Sequence, residues 1–417
     1  MILDLVEFTV SLWINRTRFE TGPLPCCVNN ADRCLIDNKS DNIIISNHSS
    51  IANSIHKIYV MKVATPRLYL GTMTFGWSQT SSTVDEQVAK EMVKKFVTFN
   101  TKKSISKHFI DTARIYAGGA TEPIVGDTIA DAASYCSLDS LLIGTKSHPS
   151  QPGGLSPDGI QQQFDASLDA MGEHVSSFGE YYLHQPDTEH SLLESLKYID
   201  SLVKEGKMTN LGMSNYHVSE MERAFDLCKE HGLTKPSVYQ GLYNPLNRAV
   251  EKELIPLLKE NGCDFVAYNP LAAGLLTGKH KDPSEVMSGR FKNNQNYLPR
   301  FYTDENFQAT KLIQSACEKE GIPLLEATYR WLLRHSALSE TDGLLLGASS
   351  LQQLDQNLDA CLAGMEKGPL SDNILKAFDD AWRITEASAF PYWRAYSSDM
   401  PNGKNLDLGA SYSASKK

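Results

Sequence analysis

From Arg67 onward, short apolar runs and amphipathic stretches alternate along the chain. Eight runs have the length and composition of strands, at residues 67–75, 107–112, 140–146, 180–184, 208–213, 237–241, 264–269 and 343–348. Strands that alternate with helices predict an α/β fold, either one closed barrel or one large doubly wound sheet. No G-x-G-x-x-G motif follows the first run, and polar residues end many different runs. Both features favour a single-domain (β/α)8 TIM barrel.

The stretches between the runs have the marks of helices. Ser156 followed by Pro157 predicts a helix start, because a hydroxyl caps the first turn and proline suits its first position. A second helix is predicted over residues 192–207, with Gly206 near its end, and a third starts at Ser350. These helices are expected to cover the outside of the barrel.

Three parts of the chain differ in character. Residues 1–64 are rich in Asn and Ser and lack a clear period, which predicts an irregular or disordered extension. Translation of sequence upstream of the true start is an equal alternative, because Met61 stands just before the organised part. Residues 65–394 are expected to form the barrel, and residues 395–417, rich in Ser, Gly and Lys, a flexible tail.

Composition excludes several classes of protein. The 417 residues carry a formal net charge of -10, whereas nucleic-acid binders are usually basic. No run approaches the roughly 18 apolar residues of a membrane span. The eight cysteines form no C-x-x-C pair and the histidines show no zinc-binding spacing, so no metal site is predicted. Scattered thiols are typical of a reduced compartment, and we expect a cytoplasmic protein that binds neither nucleic acid nor membrane.

Four proton-handling side chains stand at or just after the ends of three successive strands: Asp111, Tyr116, Lys146 and His184. A phenol has a pKa near about 10, and a neighbouring ammonium lowers it by stabilising the phenolate. Asp111 is expected to pair with Lys146, Lys146 to tune Tyr116, and His184 to orient a substrate oxygen. This set suits protonation of a carbonyl oxygen while hydride reaches its carbon.

Residues 67 to about 394 resemble the aldo-keto reductase superfamily, and most closely the branch of aflatoxin-aldehyde and succinic-semialdehyde reductases. The stretches that carry the resemblance are Leu70-Gly71-Thr72-Met73, Ile110-Asp111-Thr112-Ala113 with Tyr116, Gly144-Thr145-Lys146, Tyr182-Leu183-His184-Gln185-Pro186-Asp187, Leu211-Gly212-Met213-Ser214-Asn215, Val238-Tyr239-Gln240 and Tyr268-Asn269-Pro270-Leu271. They keep the family order, so the signal is specific. The resemblance implies a catalytic tetrad at Asp111, Tyr116, Lys146 and His184, with Tyr116 as the general acid.

The resemblance also implies NADPH or NADP as the cofactor, bound without a Rossmann fold. Its expected contacts are Ser214, Asn215 and Gln240 on the carboxamide, Tyr268 on the nicotinamide ring, Asn269, Pro270, Leu271, Gly274, Leu276 and Lys279 around the pyrophosphate, and Arg290, Ser349, Gln353 and Asn357 at the adenosine end. The aldose-reductase branch carries a Lys and an Arg at the adenosine loop, where this chain has Gly347 and Gln353. The 2′-phosphate is therefore expected to contact Arg290 and Lys279.

The C-terminal segment Phe390-Pro391-Tyr392-Trp393-Arg394 resembles the branch's terminal aromatic-Arg segment, which reaches over the pocket. Arg394 would pair with a substrate carboxylate, because a guanidinium matches a carboxylate at two points. Met73 and Trp77 would form further pocket walls, next to His184. Two alternatives are open for the tail after Arg394: it displaces Arg394 from the pocket, or it is a disordered end.

The function implied is NADPH-dependent reduction of aldehydes or reactive ketones to alcohols. The partner would be a small carbonyl compound, and a homodimer is expected by analogy with the branch. The alternative is an NADP-binding regulatory subunit that resembles potassium-channel β-subunits, since fold alone does not fix function. The aromatic-Arg segment and the neutral adenosine loop favour the reductase.

Overall fold

A computed structural model describes residues 64–78, 82–280, 291, 297–407 and 409–410, together with two short strands nearer the N-terminus. These strands, Leu35–Ile36 and Ile43–Ile44, pair antiparallel. The rest of the predicted extension, and with it the prediction of disorder, lies outside the described residues. The proposed limits of the three parts of the chain stay predictions.

Eight parallel strands close into a barrel, which confirms the predicted TIM-barrel class. In chain order they are β1 Arg67–Gly71, β2 His108–Asp111, β3 Leu141–Ser147, β4 Phe178–Leu183, β5 Met208–Ser214, β6 Val238–Leu242, β7 Asp264–Tyr268 and β8 Gly343–Gly347. Each strand pairs with its neighbour in the chain, and β8 closes the ring by pairing Gly343 with Arg67. Parallel neighbours bring all eight carboxyl ends to one face, where barrel enzymes carry their active sites.

Helices cover the outside of the barrel. They are α1 Glu86–Lys102, α2 Thr121–Ala132, α3 Pro157–Met171, α4 Leu192–Lys204, α5 Val218–His231, α6 Leu254–Glu260, α7 Leu298–Phe301, α8 Asp304–Lys319, α9 Leu324–Arg334, α10 Leu351–Glu366 and α11 Asp372–Thr385. Ser156 and Ser350 cap α3 and α10 as predicted. Helix α4 ends before Lys207 because Gly206 takes a φ of 72°, which no regular helix allows.

The barrel interior differs from the apolar packing usual for this fold. Tyr69, Tyr182, Val238 and Val266 form one buried cluster inside the ring of strands. A separate, much larger apolar core lies between strands and helices. Among the described residues, no helix combines the length and the hydropathy that a membrane crossing requires.

Candidate active site

Lys146 lies at the centre of the site, on β3, and its side chain is fully buried. Its Nζ donates to Asp111 Oδ1 at 2.6 Å and to the backbone oxygen of Thr112 at 2.7 Å. Burial lowers the pKa of Lys146, and the adjacent Asp111 carboxylate acts in the opposite direction. A buried ammonium needs such a counter-charge, so the pair is a unit whose loss on one side leaves an uncompensated charge on the other.

Tyr116 reaches the lysine from the turn that follows β2. The turn is tight: the backbone N–H of Tyr116 donates to Ala113 O at 3.0 Å, and Ala117, the next residue, has a left-handed backbone. Lys146 Nζ lies 5.4 Å from the centroid of the Tyr116 ring. It also lies 5.2 Å from the centroid of the Tyr182 ring. The structure therefore brings the predicted acid and the predicted ammonium together.

His184 follows β4 and completes the strand-end cluster, by which we mean Asp111, Tyr116, Lys146 and His184. Its ring is perpendicular to that of Tyr116, with centroids 6.0 Å apart. Burial lowers the pKa of His184 well below its usual value, and the nearby His148, Lys146 and Arg394 reinforce the effect. The imidazole is therefore neutral at neutral pH and suits hydrogen bonding to a substrate oxygen more than proton storage.

His148 belongs to this site although the sequence analysis did not select it. Its ring meets that of His184 edge to face, with centroids 5.0 Å apart. Burial lowers the pKa of His148 to about 4. The signal was available in the sequence, because His148 directly follows β3 and comes two residues after Lys146, the spacing at which residues of an extended chain share a face.

Gln240 on β6 makes a contact that the sequence could not show. Its Nε2 donates to Asp111 Oδ1 at 2.8 Å across the barrel. The oxygen that accepts from Lys146 thus also accepts from Gln240, so Gln240 helps to orient the Asp111 carboxylate. A carboxamide contact to a cofactor remains a prediction for this residue.

Three polar side chains lie around the carboxyl ends of β5 and β7. Asn215 has a φ of 62°, and its Nδ2 donates to His184 O at 2.8 Å and Ser214 Oγ at 3.0 Å. Tyr268 is half-buried and donates its hydroxyl to Asn215 Oδ1 at 2.9 Å. Ser214, Asn215 and Tyr268 are therefore a connected group beside His184, which fits the carboxamide and ring of a nicotinamide.

The loop after Tyr268 is held in an open, irregular course. Asn269, Ala273 and Gly274 all have positive φ, and a Cβ on Gly274 would meet no atom within 4 Å. Asn244 donates to Asn269 O at 3.0 Å and anchors the start of the loop. The other predicted contacts there are Pro270 and Leu276, which are buried, Leu271, which is half-buried, and Lys279, which is exposed. A loop of this kind leaves backbone groups accessible to a pyrophosphate; Arg290 lies outside the described residues.

The predicted adenosine end is at the start of α10. The backbone N–H and hydroxyl of Ser349 donate to Gln353 Oε1 at 2.9 and 3.0 Å. Asn357 donates to Gly347 O at 3.1 Å and so fixes the end of β8. Ser349 lies in the loop before α10, and Gln353 and Asn357 lie in the first two turns of that helix, so these residues are close together after β8.

The predicted pocket walls come from opposite ends of the chain. Met73 and Trp77 follow β1 and are half-buried. The backbone N–H of Arg394 donates to Asn215 O at 3.0 Å, which places Arg394 beside the nicotinamide-type residues. Its charge helps to lower the pKa values of His184 and His148, after the larger effect of burial.

The described residues after Arg394, for which composition predicts a flexible tail, make hydrogen bonds to neighbouring parts of the chain. Ser397 N donates to Glu220 Oε1 at 2.8 Å, and Ser398 N donates to Asp187 O at 2.9 Å. The Asp399 carboxylate accepts from Ser191 Oγ at 2.6 Å and from Leu192 N at 2.9 Å, which caps α4. Residues 395–407 and 409–410, the C-terminal segment, are thus attached to α4 and α5.

Two further contacts hold the C-terminal segment in place. Asp399 pairs with Arg223 at 2.7 Å, and Ala410 N donates to Trp393 O at 2.9 Å. Although burial opposes it, hydrogen bonding from Arg223 lowers the pKa of Asp399 to about 2. The segment is therefore held next to Trp393 and Arg394 by contacts with α4 and α5. Residue 408 and residues 411–417 lie outside the described residues.

The strand-end cluster thus lies at the carboxyl ends of the parallel strands, the face on which barrel enzymes carry their active sites. Among the described residues, no group of His, Cys, Asp and Glu side chains is arranged to hold a metal ion. The class of protein that fits this arrangement is an oxidoreductase.

Comparisons with known proteins agree with this class. The model of the Aldo/keto reductase family matches residues 67–382. The chain is 35% identical to Aflatoxin B1 aldehyde reductase member 2 of Mus musculus, over 79% of this chain and 88% of the relative. It is 36% identical to Aldo-keto reductase family 7 member A3 of Homo sapiens, over 68% and 87%. It is 30% identical to Oxidoreductase sirO of Leptosphaeria maculans, over 78% and 97%.

The chain belongs to the aldo/keto reductase family and is an oxidoreductase. This confirms the resemblance that the motifs indicated, and membership supports a nicotinamide cofactor and a small carbonyl substrate.

Proposed function

We propose that this protein reduces aldehydes or reactive ketones to alcohols with NADPH, and that Tyr116 is the general acid. One observation carries the proposal. The buried Lys146 ammonium lies between the Asp111 carboxylate, at 2.6 Å, and the Tyr116 ring, at 5.4 Å from its centroid. An ammonium so placed favours the phenolate and makes the phenol a better acid.

The chain's own residues then divide the work. The carbonyl oxygen lies between Tyr116 and the neutral His184, which donates a hydrogen bond and withdraws electron density from the carbonyl. When bound, dihydronicotinamide supplies the hydride that forms the new C–H bond. As negative charge develops on oxygen, the Tyr116 O–H bond breaks and its proton forms the alcohol O–H bond. The resulting phenolate is stabilised by Lys146 until it takes a proton from solvent.

Support for the cofactor comes from the residues present. Ser214 and Asn215 offer a hydroxyl and an amide for the carboxamide, and the half-buried Tyr268 offers a ring face next to them. The loop with positive φ at Asn269 and Gly274 suits the close approach of a pyrophosphate. We assign the adenosine end to Ser349, Gln353 and Asn357. Preference for NADPH over NADH would depend on Lys279 and Arg290.

The substrate class follows from the pocket walls and the relatives. The Mus musculus relative is named an aflatoxin B1 aldehyde reductase, which supports a reactive aldehyde as the substrate. Arg394 supports recognition of a second, anionic group on that aldehyde. Met73 and Trp77 would contact its apolar part.

The direct test measures the loss of dihydronicotinamide absorbance at about 340 nm. The carbonyl compounds are 4-nitrobenzaldehyde, succinic semialdehyde and butanal, each with NADPH and with NADH. Turnover with NADPH and formation of the alcohol are the expected results. Tight binding of NADPH with negligible turnover on every carbonyl would contradict the reductase and favour the regulatory alternative.

The role of Arg394 is tested by Arg394→Leu. Loss of a charged hydrogen bond should raise KM for succinic semialdehyde by about tenfold or more, while KM for butanal, its neutral counterpart, changes little. Arg383→Leu, which removes a largely exposed arginine from α11, is the matched control. Equal changes in KM for both aldehydes would count against carboxylate recognition.

A further inference from the structure

A second carboxylate lies inside the barrel beneath Lys146. Glu180 on β4 is buried, and each of its oxygens accepts a phenol hydrogen bond. Tyr69 donates to Oε1 at 2.8 Å and Tyr182 to Oε2 at 2.6 Å. TIM-barrel interiors are usually filled with branched apolar side chains, and burying an ionisable group without need is costly. The chain therefore keeps a group here that packing alone does not require.

Glycines make the room for the two phenols that bind Glu180. The Tyr69 ring lies against Gly343, where a Cβ would be 2.5 Å from the ring. The Tyr182 ring lies against Gly212, where a Cβ would be 2.2 Å from the ring. A layer built from two phenols and a carboxylate thus replaces ordinary packing directly below the lysine.

The same layer contacts the lysine. In the β3–β4 register, Gly144 stands opposite Glu180 and Lys146 opposite Tyr182. The ring whose hydroxyl donates to Glu180 is also the ring whose centroid lies 5.2 Å from Lys146 Nζ. Glu180 therefore lies one layer below the ammonium, with the Tyr182 ring between them. All three side chains are buried.

We propose that Glu180 is a positioning residue for the reduction, a second counter-charge that acts with Asp111 to keep Lys146 an ammonium beside Tyr116. The inference rests on the proposed function and deepens it. Burial lowers the pKa of Lys146, and the negative charges of Asp111, then Glu180 and then Glu122 on α2 oppose that effect. With Glu180 as a further counter-charge inside the barrel, the ammonium stays charged over a wider range of pH.

The charge of Glu180 itself depends on the groups that face it. They are Tyr69 and Arg67 on β1, Asp111 on β2, Lys146 on β3 and Tyr182 on β4, with Asp264 on β7 beyond Arg67. Burial raises the pKa of Glu180, while the two phenol donors and Arg67 lower it. Because both oxygens accept from phenols, the layer is hydrogen-bonded as a carboxylate requires.

Glu180→Gln tests the charge with little change of shape. The readout is the pH dependence of kcat/KM for a neutral aldehyde, butanal, with NADPH. Removing a nearby negative charge lowers the pKa of both an ammonium and a phenol, so the alkaline limb should move to lower pH by about one unit. KM for NADPH should stay as in the wild type, because Glu180 lies below the cofactor residues.

Glu251→Gln is the matched control. Glu251 likewise accepts from a tyrosine, Tyr243, at 2.5 Å and from Arg248 at 2.9 Å, but it lies outside the barrel. The alkaline limb of the kcat/KM profile of Glu251→Gln should coincide with that of the wild type. If Glu180→Gln does not fold, the double variant Tyr69→Phe/Glu180→Leu removes the carboxylate together with one donor and gives the same readout.

The outcomes separate the two levels of the account. A shifted limb in the Glu180 variant alone supports the inference. An unshifted limb in an active Glu180 variant, or an equal shift in Glu251→Gln, overturns it and leaves the reductase intact. Absence of reduction by the wild type at every pH overturns the proposed function and this inference together.

Discussion

The strand-end cluster and the C-terminal segment both border the candidate site, but they are held in different ways. Lys146 and Asp111 are buried side chains fixed by the strands that carry them. The C-terminal segment has little regular structure and is held to neighbouring helices by a few hydrogen bonds and one ion pair, such as those of Ser397 and Asp399. Under the proposed function, the buried residues of the barrel act on the chemical step, whereas the C-terminal segment acts on the binding of substrate. Changes in the first should alter kcat, and changes in the second should alter KM.

The largest effect is expected from Lys146→Met. Without the ammonium, Tyr116 loses the charge that favours its phenolate, and kcat should fall by about a thousandfold, within the range of general-acid contributions. Cofactor affinity, measured by quenching of protein fluorescence, should change little.

Loss of the lysine alone also leaves Asp111 buried without its counter-charge, at a cost of about 3–5 kcal/mol. The double variant Asp111→Asn/Lys146→Met removes both charges and controls for folding. A double variant that is stable and active at the wild-type rate would show that the ion pair has no part in the chemistry.

The next effect sharpens the contrast through pH. His148 has a pKa lowered from 6.5 to about 4 by burial, so the folded protein binds fewer protons than the unfolded chain between those values. Stability attached to His148 is therefore lost as pH falls from 6.5 towards 4, by about 3 kcal/mol in full. Asp399, with a pKa of about 2, keeps its charge over the same interval.

The measurement is urea unfolding of the wild type and His148→Asn between pH 7 and pH 4. The difference between the two proteins isolates His148 from groups of opposite sign, such as Glu220, whose pKa burial raises to about 7. The wild type should lose stability relative to the variant on acidification. Parallel curves for the two proteins would show that His148 is not held neutral.

The smallest effect is expected in the C-terminal segment. Asp399→Asn removes the ion pair with Arg223, which is partly exposed and is worth about 1 kcal/mol. Looser support of Arg394 should raise KM for succinic semialdehyde about fivefold and leave kcat for butanal unchanged. Asp407→Asn, an exposed carboxylate of the same segment, is the control. A fall in kcat for butanal would break the proposed division between the two regions.

The two regions also differ in how far the sequence predicts them. Strand ends are marked by polar residues after apolar runs, so the barrel and the meeting of Asp111, Tyr116, Lys146 and His184 followed from the pattern. Gln240 was expected at a cofactor, and its bond to Asp111 was missed because it depends on the geometry across the closed barrel. The residues after Arg394 show no hydrophobic periodicity, so their hydrogen bonds to neighbouring helices could not be predicted from the sequence.

Glu180 shows a third case. It opens an apolar run, and in the sequence it resembles a polar residue at the edge of a strand. Its partners Tyr69 and Tyr182 come from strands on different parts of the ring. Only the strand register and the glycines that make room for the phenols identify the layer.

The central claim is that the phenol of Tyr116 protonates the substrate, and Tyr116→Phe tests it most directly. The measurement is a single turnover of enzyme-bound NADPH with 4-nitrobenzaldehyde, followed by stopped flow alongside a fluorescence titration of NADPH binding. The account predicts a rate lower by about a thousandfold or more with NADPH affinity unchanged, because only the acid is removed. A Tyr116→Phe protein that oxidises bound NADPH at close to the wild-type rate would contradict the account.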